Sequence, residues 1–200
     1  MKMRKIDAIL AAIIGFLNGG FFWFILKQIE IRIPYSWFLI IVFTFLAPLA
    51  LYIASLIGKK FLIIFQAAKF FLVGTLNTFI DLGVLNFFIW ISGITNGLFY
   101  SLFKALSFLV ATTNSYFWNK FWTFEKRKEK PAPEEFLKFL VVTTIGLGIN
   151  VGVASFFVNI IGPQFGISER LWAGAVGPVI AAFFAFVWNF FSSKFIVFKK

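Results

Sequence analysis

Apolar residues run through the chain in six long stretches that short polar segments separate. Within each stretch the apolar run is continuous, whereas the strands of a membrane β-barrel alternate apolar and polar residues. Each stretch is close to the length of about 20 residues that crosses a hydrocarbon layer of about 30 Å as a helix. We therefore predict an all-α integral membrane protein with six transmembrane helices, at residues 6–26, 35–57, 70–92, 98–122, 137–161 and 171–197.

The composition favours a membrane protein over a water-soluble domain. Apolar residues make up 60% of the 200 residues, charged residues make up 14%, and the mean hydropathy is +0.92. A soluble domain has about 45–50% apolar and about 25% charged residues. The chain has no cysteine and no histidine, which excludes disulfides, thiolate nucleophiles, Ser-His relays and the usual zinc sites. We expect no cofactor, no metal site and no enzymatic activity.

Lysine and arginine residues concentrate in alternate connections between the predicted spans. The connection between the third and fourth spans, residues 92–97, has no charge. The connections before the third span and after the fourth span are basic. The positive-inside rule then predicts a cytoplasmic-membrane protein with both termini in the cytoplasm. The net charge of +11 fits contacts with anionic lipids, and we expect no nucleic-acid partner. The basic segments contain Lys2, Arg4 and Lys5; Lys59, Lys60 and Lys69; and Lys126, Arg127, Lys128 and Lys130.

The third and fourth predicted spans resemble the fifth and sixth in sequence. Residues 69–88 and 138–157 align without a gap, and nine of the twenty aligned positions are identical. The segments KFWTF (120–124) and KFIVF (194–198), which end the two halves, also align. Each half is a hairpin of two spans, so we predict parallel repeats related by a pseudo-two-fold axis along the membrane normal. Ligand sites in such proteins tend to form where the repeats meet.

Several polar residues lie inside the predicted spans. Asp81 is near the middle of the third span, where a carboxylate costs about 2.5–3.5 kcal/mol on insertion scales and is a functional candidate by default. Asn77 lies one helical turn earlier, and Asn150 is the residue aligned with Asp81 in the second repeat. Lys104, in the fourth span, is the expected counter-charge of Asp81. The alternative is an ion pair that only fixes helix packing.

A second polar group lies at the predicted cytoplasmic ends of spans four and six. It consists of Asn119, Lys120, Trp122, Asn189 and Lys194. Tryptophan and lysine at this level are typical of residues that anchor a helix at the membrane surface. That interpretation explains the two amides less well. The alternative is that the lysines and amides together bind a phosphate head group.

The segments that carry these features resemble the GtrA-like family of small membrane proteins. The resemblance covers about residues 66–200 and rests on the order and spacing of four segments and on an N-[RK]-x-W-T-F type ending. It implies a GtrA-like domain at 66–200, with repeat units 66–126 and 136–200, after an N-terminal transmembrane hairpin at 1–65. The matching segments are KFFLVGTLNTFIDLGVLNF (69–87), KALSFLVATTNSYFWNKFWTF (104–124), KFLVVTTIGLGINVGVASFF (138–157) and VWNFFSSKFIVF (187–198).

This family is associated with cell-surface polysaccharide synthesis. The resemblance implies a flippase or binding protein for a polyprenyl-phosphate-linked monosaccharide. The alternative function is a non-transporting scaffold or stabilising subunit of a membrane glycosyltransferase. The expected partners are the polyprenyl-phosphate lipid or lipid-linked sugar, anionic lipids, and either a glycosyltransferase or a second copy of the chain. By position, the resemblance points to Asn77, Asp81, Lys104, Asn119, Lys120, Trp122 and Lys194 as site residues.

Overall fold

The chain is helical throughout the part that the computed structural model describes, which is residues 3–28, 33–58, 61–94, 97–126, 132–165 and 177–199. No β-strand occurs in these ranges. The prediction of an all-α protein is therefore confirmed. The α-helices of the described residues are α1 (Lys5–Gln28), α2 (Phe38–Ile57), α3 (Leu62–Ser92), α4 (Gly97–Trp118), α5 (Pro133–Phe156) and α6 (Gly177–Ser192).

Five described segments are long and apolar enough to cross a membrane. They agree with five of the six predicted spans. Helix α4 forms at the fourth predicted span, but it is less apolar because Lys104 and Asn114 interrupt it. Part of the sixth predicted span, residues 171–176, lies outside the described residues. The five segments are Lys5–Phe24, Phe38–Ile57, Leu62–Ser92, Pro133–Val153 and Ile180–Val197.

Helix α3 begins earlier than its apolar pattern predicted, at Leu62 instead of residue 70. Nothing between Leu62 and Val73 breaks a helix, since this stretch contains neither proline nor glycine. The helix ends at Gly93, which has a φ of 69° and whose N–H donates to the carbonyl of Ile89. Because α3 starts early, Lys69 lies two turns inside it. Lys69, which was predicted to lie in the connection between the second and third spans, is therefore part of the α3 helix.

The chain divides into two compact units, Met1–Arg127 and Lys128–Lys200. In the first unit, α1 packs against both α2 and α3. Two glycines one turn apart on α1 allow a close approach to α2: a Cβ at Gly15 would overlap the carbonyl of Phe43, and a Cβ at Gly19 would overlap Ile40. This is the small-xxx-small arrangement of packed membrane helices. The core of the unit contains Ala11, Ile14, Leu51, Phe65, Val73, Leu76 and Trp122.

The second unit is a hairpin of α5 and α6. The indole N–H of Trp188 on α6 donates to the carbonyl of Val142 on α5, at 3.0 Å. A Cβ at Gly146 would overlap the side-chain amide of Asn189, so the glycine makes room for that amide. The glycine therefore sets the distance between the two helices at this level.

Each predicted repeat ends in the same way. A π-helical turn follows α4 at Asn119–Thr123 and α6 at Ser193–Val197, which are aligned positions of the repeat. In each turn the N–H of the next phenylalanine donates to the first carbonyl, at 2.9 and 2.8 Å. The aligned ring pairs also recur. These are Phe117–Phe121 and Phe191–Phe195, both stacked, and Phe70–Phe124 and Phe139–Phe198, both tilted.

Candidate functional site

Buried charge in the first unit converges on Asp7, near the start of α1. The Asp7 side chain is 0% exposed and Lys69 is 1% exposed. Lys69 Nζ lies 2.8 Å from Asp7 Oδ1, and the indole N–H of Trp122 donates to the same oxygen at 3.0 Å. Buried charges require such partners, because an uncompensated charge in an apolar interior is costly. The contacts join α1, α3 and the π-helical turn after α4.

Arg4 surrounds the other side of the same carboxylate. Its Nε lies 3.0 Å from Asp7 Oδ2, its Nη2 lies 3.0 Å from Oδ1, and its backbone N–H donates to Oδ2 at 3.1 Å. This fork geometry is the arrangement in which arginine binds carboxylates most strongly. The hydrogen bond to Asp7 also raises the pKa of Arg4 above its usual value. Arg4 therefore remains a cation at any physiological pH.

Glu125 adds a second anion to this group of charged residues, on its solvent-exposed side. Its Oε1 lies 2.6 Å from Arg4 Nη2 and 3.3 Å from Lys69 Nζ. Glu125 has a φ of 57°, a left-handed conformation that is uncommon for a residue other than glycine. Two cations thus face two anions. We call Arg4, Asp7, Lys69, Trp122 and Glu125 the charge cluster.

Aromatic rings surround the ammonium group of Lys69. Its Nζ lies 4.7 Å from the ring centroid of Phe65 and 5.4 Å from that of Trp122. The Trp122 carbonyl accepts a hydrogen bond from Nζ at 3.5 Å. The sequence contained a signal for this cluster, since Asp7 is the only acid before Glu30 and lies in an apolar stretch. An acid at such a position needs a cation nearby.

The predicted residues Asn119 and Lys120 are buried in the π-helical turn after α4. Asn119 is 1% exposed and Lys120 is 0% exposed. Lys120 Nζ lies 5.7 Å from the ring centroid of Tyr116. The amide of Asn119 donates to Ser115 Oγ at 3.2 Å, and its Oδ1 has no hydrogen-bond partner among the described residues. Lys120 and Asn119 thus lie inside the helix bundle, not at its outer surface.

The predicted residues in the middle of α3 contact α4. Asn77 Oδ1 accepts a hydrogen bond from the Asn114 amide at 2.8 Å, and Asp81 Oδ1 accepts one from Ser107 Oγ at 2.5 Å. Both acceptors are half-buried. Asp81 is twelve residues beyond Lys69, or about 18 Å along α3 at 1.5 Å per residue. We call Asn77, Asp81, Ser107 and Asn114 the polar seam.

The proposed partner of Asp81, Lys104, lies on α4, but its side chain is outside the part of the structure that is described. The pairing of Asp81 with Lys104 therefore stays a prediction. What the structure describes at Asp81 is the Ser107 hydroxyl, which is one turn further along α4. A hydroxyl donor stabilises a carboxylate at this depth, although less than a cation does.

The three predicted residues of the second unit lie on α5, on α6 and in the π-helical turn after α6. Asn150 is half-buried on α5. Asn189 is half-buried on α6, where its amide fills the space next to Gly146. Lys194 lies in the π-helical turn, with its Nζ 5.6 Å from the ring centroid of Phe195. The two repeats are therefore unequal in chemistry although they share their backbone pattern.

Two cavities flank α1 next to the charge cluster. One has a volume of 580 Å³ and contains basic and hydroxyl side chains; the other has a volume of 520 Å³ and is apolar. Arg4 belongs to the first and Trp122 to the second, so the cluster lies beside both. The first is lined by Met3, Arg4, Lys5, Ala8, Pro48, Tyr52, Ser55 and Leu56. The second is lined by Ile6, Leu10, Phe117, Trp118, Phe121 and Trp122.

The polar side chains described above are mainly cations, amides and hydroxyls. Within the described ranges, no three acidic side chains come close enough together to bind a metal. The two acids of the charge cluster face arginine and lysine. Buried or half-buried lysine, amide and hydroxyl groups are ligands of phosphate and sugar oxygens.

The chain matches the model of a protein family, described as "GtrA/DPMS, transmembrane domain", over residues 69–198. The chain belongs to this family. The match confirms the resemblance seen in the sequence and covers α3 from Lys69 onward, α4, α5, α6 and both π-helical turns at the repeat ends. No solved structure matches the chain. Membership in the GtrA/DPMS family, together with the long apolar helices, identifies a multi-pass membrane protein.

Membership in the GtrA/DPMS family indicates a class of function for the protein. The family indicates a membrane protein involved in the handling of polyprenyl-linked sugars, and its domain is generally non-catalytic. Of the charge cluster, Lys69, Trp122 and Glu125 lie inside the matched residues, whereas Arg4 and Asp7 lie outside them. The whole polar seam lies inside. The matched domain thus contributes most of the polar groups, and the N-terminal segment adds the charges of Arg4 and of Asp7 on α1.

Proposed function

We propose that this protein binds a polyprenyl-phosphate-linked sugar and moves it across the cytoplasmic membrane during the synthesis of a cell-surface polysaccharide. In this proposal both termini lie in the cytoplasm, because the basic connections are then on the cytoplasmic side. The protein carries out no covalent chemistry. It supplies polar groups that replace water around a phosphate and a sugar inside the bilayer.

One observation carries the proposal: α3 and α4 hold polar groups at two depths. The deep groups are those of the polar seam, where Asp81 and Asn77 face α4. The other group lies at the ends of the helices, where Lys120 and Asn119 are buried. A polar side chain at membrane depth is expensive and usually faces a substrate pathway or a protein interior. A sugar crossing beside α3 would find hydrogen-bond partners along that path.

The phosphate end of the substrate is assigned to Lys120 and Asn119, with Trp122 next to them. An ammonium group and an amide donor are suitable ligands for phosphate oxygens. In the second repeat Lys194 is aligned with Lys120, Asn189 is a further amide although it is not aligned with Asn119, and Asn150 is the softer counterpart of Asp81. Because Asp81 is charged and Asn150 is not, we propose that the first repeat binds the sugar more strongly.

Leaflet exchange of a labelled polyprenyl-phosphate sugar in proteoliposomes tests this function. We expect Asp81→Asn and Lys120→Met each to lower the exchange rate at least tenfold. The matched control is Asn86→Ala, since Asn86 lies on α3 and its amide donates to the carbonyl of Leu82 in the same helix. The control variant should exchange the lipid at the wild-type rate.

The scaffold of a membrane glycosyltransferase is the competing function. If Asp81→Asn and Lys120→Met are both inserted and both exchange the lipid normally, the proposed transport site is wrong. Co-purification of a glycosyltransferase whose activity these variants still support would then favour the scaffold. An assay of glycosyl transfer in membranes that lack the protein distinguishes the two functions. If the lipid-linked sugar is supplied on the side where the glycosyltransferase acts, a transporter is not needed, whereas a scaffold still is.

A further inference from the structure

The Asp7 carboxylate occupies a position that is built from hydrogen-bond donors. Four side-chain N–H groups contact its two oxygens, from Lys69, Trp122 and twice from Arg4, and the Arg4 backbone N–H is a fifth donor. Lys69 and Trp122 belong to the matched family domain, while Asp7 lies 62 residues before its first residue. The domain thus places two buried hydrogen-bond donors, those of Lys69 and Trp122, around one position. A residue outside the domain, Asp7, occupies that position with its carboxylate.

We propose that Lys69 and Trp122, together with Arg4, form a binding site for the phosphate of a lipid, and that Asp7 is a tethered carboxylate that competes for this site. The N-terminal hairpin is then a built-in competitor, not only a packing element. A phosphate-bearing lipid binds when its phosphate displaces the carboxylate. This inference rests on the proposed function only in taking the competing anion to be lipid-borne.

The donors suit a phosphate monoester at least as well as a carboxylate. A phosphate has three acceptor oxygens and a charge of about −1.5 to −2 near neutral pH, against −1 for a carboxylate. Arginine binds both groups through its planar fork of N–H donors. Lys69 and the indole add two more donors at 2.8 and 3.0 Å from one oxygen. The site therefore favours the more highly charged anion once that anion can reach it.

The basic cavity lies next to the site. It has a volume of 580 Å³ and is lined by Arg4, Lys5, Tyr52 and Ser55 among others. The side chain of Arg4 is 40% exposed, and Arg4 also holds Asp7. An anion in the cavity therefore meets a residue that already contacts the carboxylate. Both Tyr52 and Ser55 carry hydroxyl groups that can bind phosphate oxygens.

The apolar cavity explains why the anion is borne by a lipid. It has a volume of 520 Å³, and four of its six lining residues are aromatic. Trp122 lines this cavity and also donates to Asp7, so the group of donors around Asp7 and the apolar cavity have one residue in common. An amphiphile whose phosphate lies among these donors would have its hydrocarbon chain beside the aromatic rings of this cavity. Inorganic phosphate would contact only the donors.

The second repeat supports a special role for α1. Lys138 is aligned with Lys69, and it is exposed on α5. The lysine is thus buried in the repeat that α1 covers. Because Asp7 lies on α1, the same helix covers Lys69 and supplies its anionic partner. Removal of the Asp7 charge should leave an anion-binding site that a phosphate can fill.

Binding of farnesyl phosphate to the full-length protein in neutral detergent tests the inference. The variants are Asp7→Asn and the double variant Asp7→Asn/Lys69→Met. We expect Asp7→Asn to bind farnesyl phosphate at least tenfold more tightly than the wild type. We also expect this variant to unfold at a lower temperature than the wild type and to recover at least half of the difference with farnesyl phosphate. Farnesol, which lacks the phosphate, should restore nothing.

Five outcomes decide the inference. If Asp7→Asn is destabilised but farnesyl phosphate neither binds more tightly nor restores it, Asp7 is only a structural counter-ion and the inference is wrong. Equal recovery with inorganic phosphate overturns the assignment to a lipid. If Asp7→Asn folds only when farnesyl phosphate is present, the inference is supported, and if it folds under neither condition, the inference is overturned. The double variant lacks Lys69 as well as the Asp7 charge, so it must bind farnesyl phosphate more weakly than Asp7→Asn, and equal binding of these two variants overturns the inference.

The result can be separated from that of the leaflet-exchange assay. Tighter binding by Asp7→Asn together with no exchange by the wild type supports the anion site and removes the proposed transport. Normal exchange together with unchanged binding by Asp7→Asn supports transport and removes the competing carboxylate. The binding experiment does not depend on a sugar, so it gives an answer in either case.

Discussion

Lys69 Nζ and Asp7 Oδ1 lie 2.8 Å apart in the interior of the first unit, although they are 62 positions apart in the sequence. The contact connects α3, in the matched family domain, with α1, outside it. Neither residue can change its charge alone without leaving the other buried and less well compensated. The stability of the domain and the placement of α1 therefore depend on each other.

Replacement of Lys69 by methionine should destabilise the protein. The variant keeps most of the apolar volume but removes a cation from Asp7, and breaking a buried ion pair costs about 3–5 kcal/mol. We expect the lower end of that range, because Arg4 still contacts the carboxylate. The thermal unfolding midpoint in detergent measures the effect. Lys138→Met is the matched control, since this aligned lysine is exposed, and equal losses in the two variants would contradict the assigned role of Lys69.

Replacement of Trp122 by phenylalanine should also destabilise the first unit. The variant keeps an aromatic ring but removes the N–H that donates to Asp7 at 3.0 Å. A hydrogen bond to a charged group contributes about 1.5–3 kcal/mol. Trp118→Phe is the control, because Trp118 lies one turn earlier, next to the Trp122 ring. If the two variants unfold at the same temperature, the indole hydrogen bond contributes nothing measurable.

The apolar pattern predicted the helices well, but it did not predict the charge cluster. Continuous apolar runs determine where membrane helices form, because every backbone group must be paired inside the bilayer. A buried ion pair depends on which helices meet, and the sequence of one helix does not specify its neighbours. Lys69 thus has the pattern of a surface cation, and the position of Asp7 in the sequence does not identify its partners. By contrast, Asn77 and Asp81 were predicted to share a face, and both contact α4.

The close packing of α1 and α2 had a sequence signal that was missed. Gly15 and Gly19 have the G-x-x-x-G spacing, which marks a helix face that packs closely in membranes. The structure places this face against the backbone of α2 at Phe43 and Ile40. The two glycines stand in an apolar stretch, where they are easily taken as part of the general apolar composition.

Substitution of Gly15 or Gly19 by alanine should separate α1 from α2. Each new Cβ would overlap backbone atoms of α2, which cannot move as a flexible side chain can. Overpacking of this kind costs about 1–3 kcal/mol. Gly20→Ala is the matched control, because a Cβ at Gly20 meets nothing within 4 Å. Thermal unfolding should rank Gly20→Ala near the wild type and the other two well below it; any other order would count against this packing.

The Asn77–Asn114 hydrogen bond should stabilise the α3–α4 hairpin to a small extent. Interhelical hydrogen bonds in membrane proteins contribute about 0.6 kcal/mol on average. Asn77→Ala is therefore expected to cost about that much, whereas Asn86→Ala should cost less, because its partner is the carbonyl of Leu82 in its own helix. Unfolding of both variants in mild detergent with increasing denaturant measures the difference. A larger loss for Asn86→Ala would show that the contact between α3 and α4 is not the stabilising one.

In the second unit, Gly146 and Asn189 should show a compensating pair of substitutions. Gly146→Ala places a Cβ where the Asn189 amide lies, so we expect it to destabilise the α5–α6 hairpin. Asn189→Ala removes the amide and makes room for that Cβ. The double variant should therefore be more stable than the sum of the two single effects predicts, by about 0.5–3 kcal/mol, the range of coupling between residues in contact. Gly148→Ala, whose Cβ would meet nothing within 4 Å, should be additive with Asn189→Ala in the same unfolding assay. Additivity in both pairs would mean that Gly146 and Asn189 are not in contact.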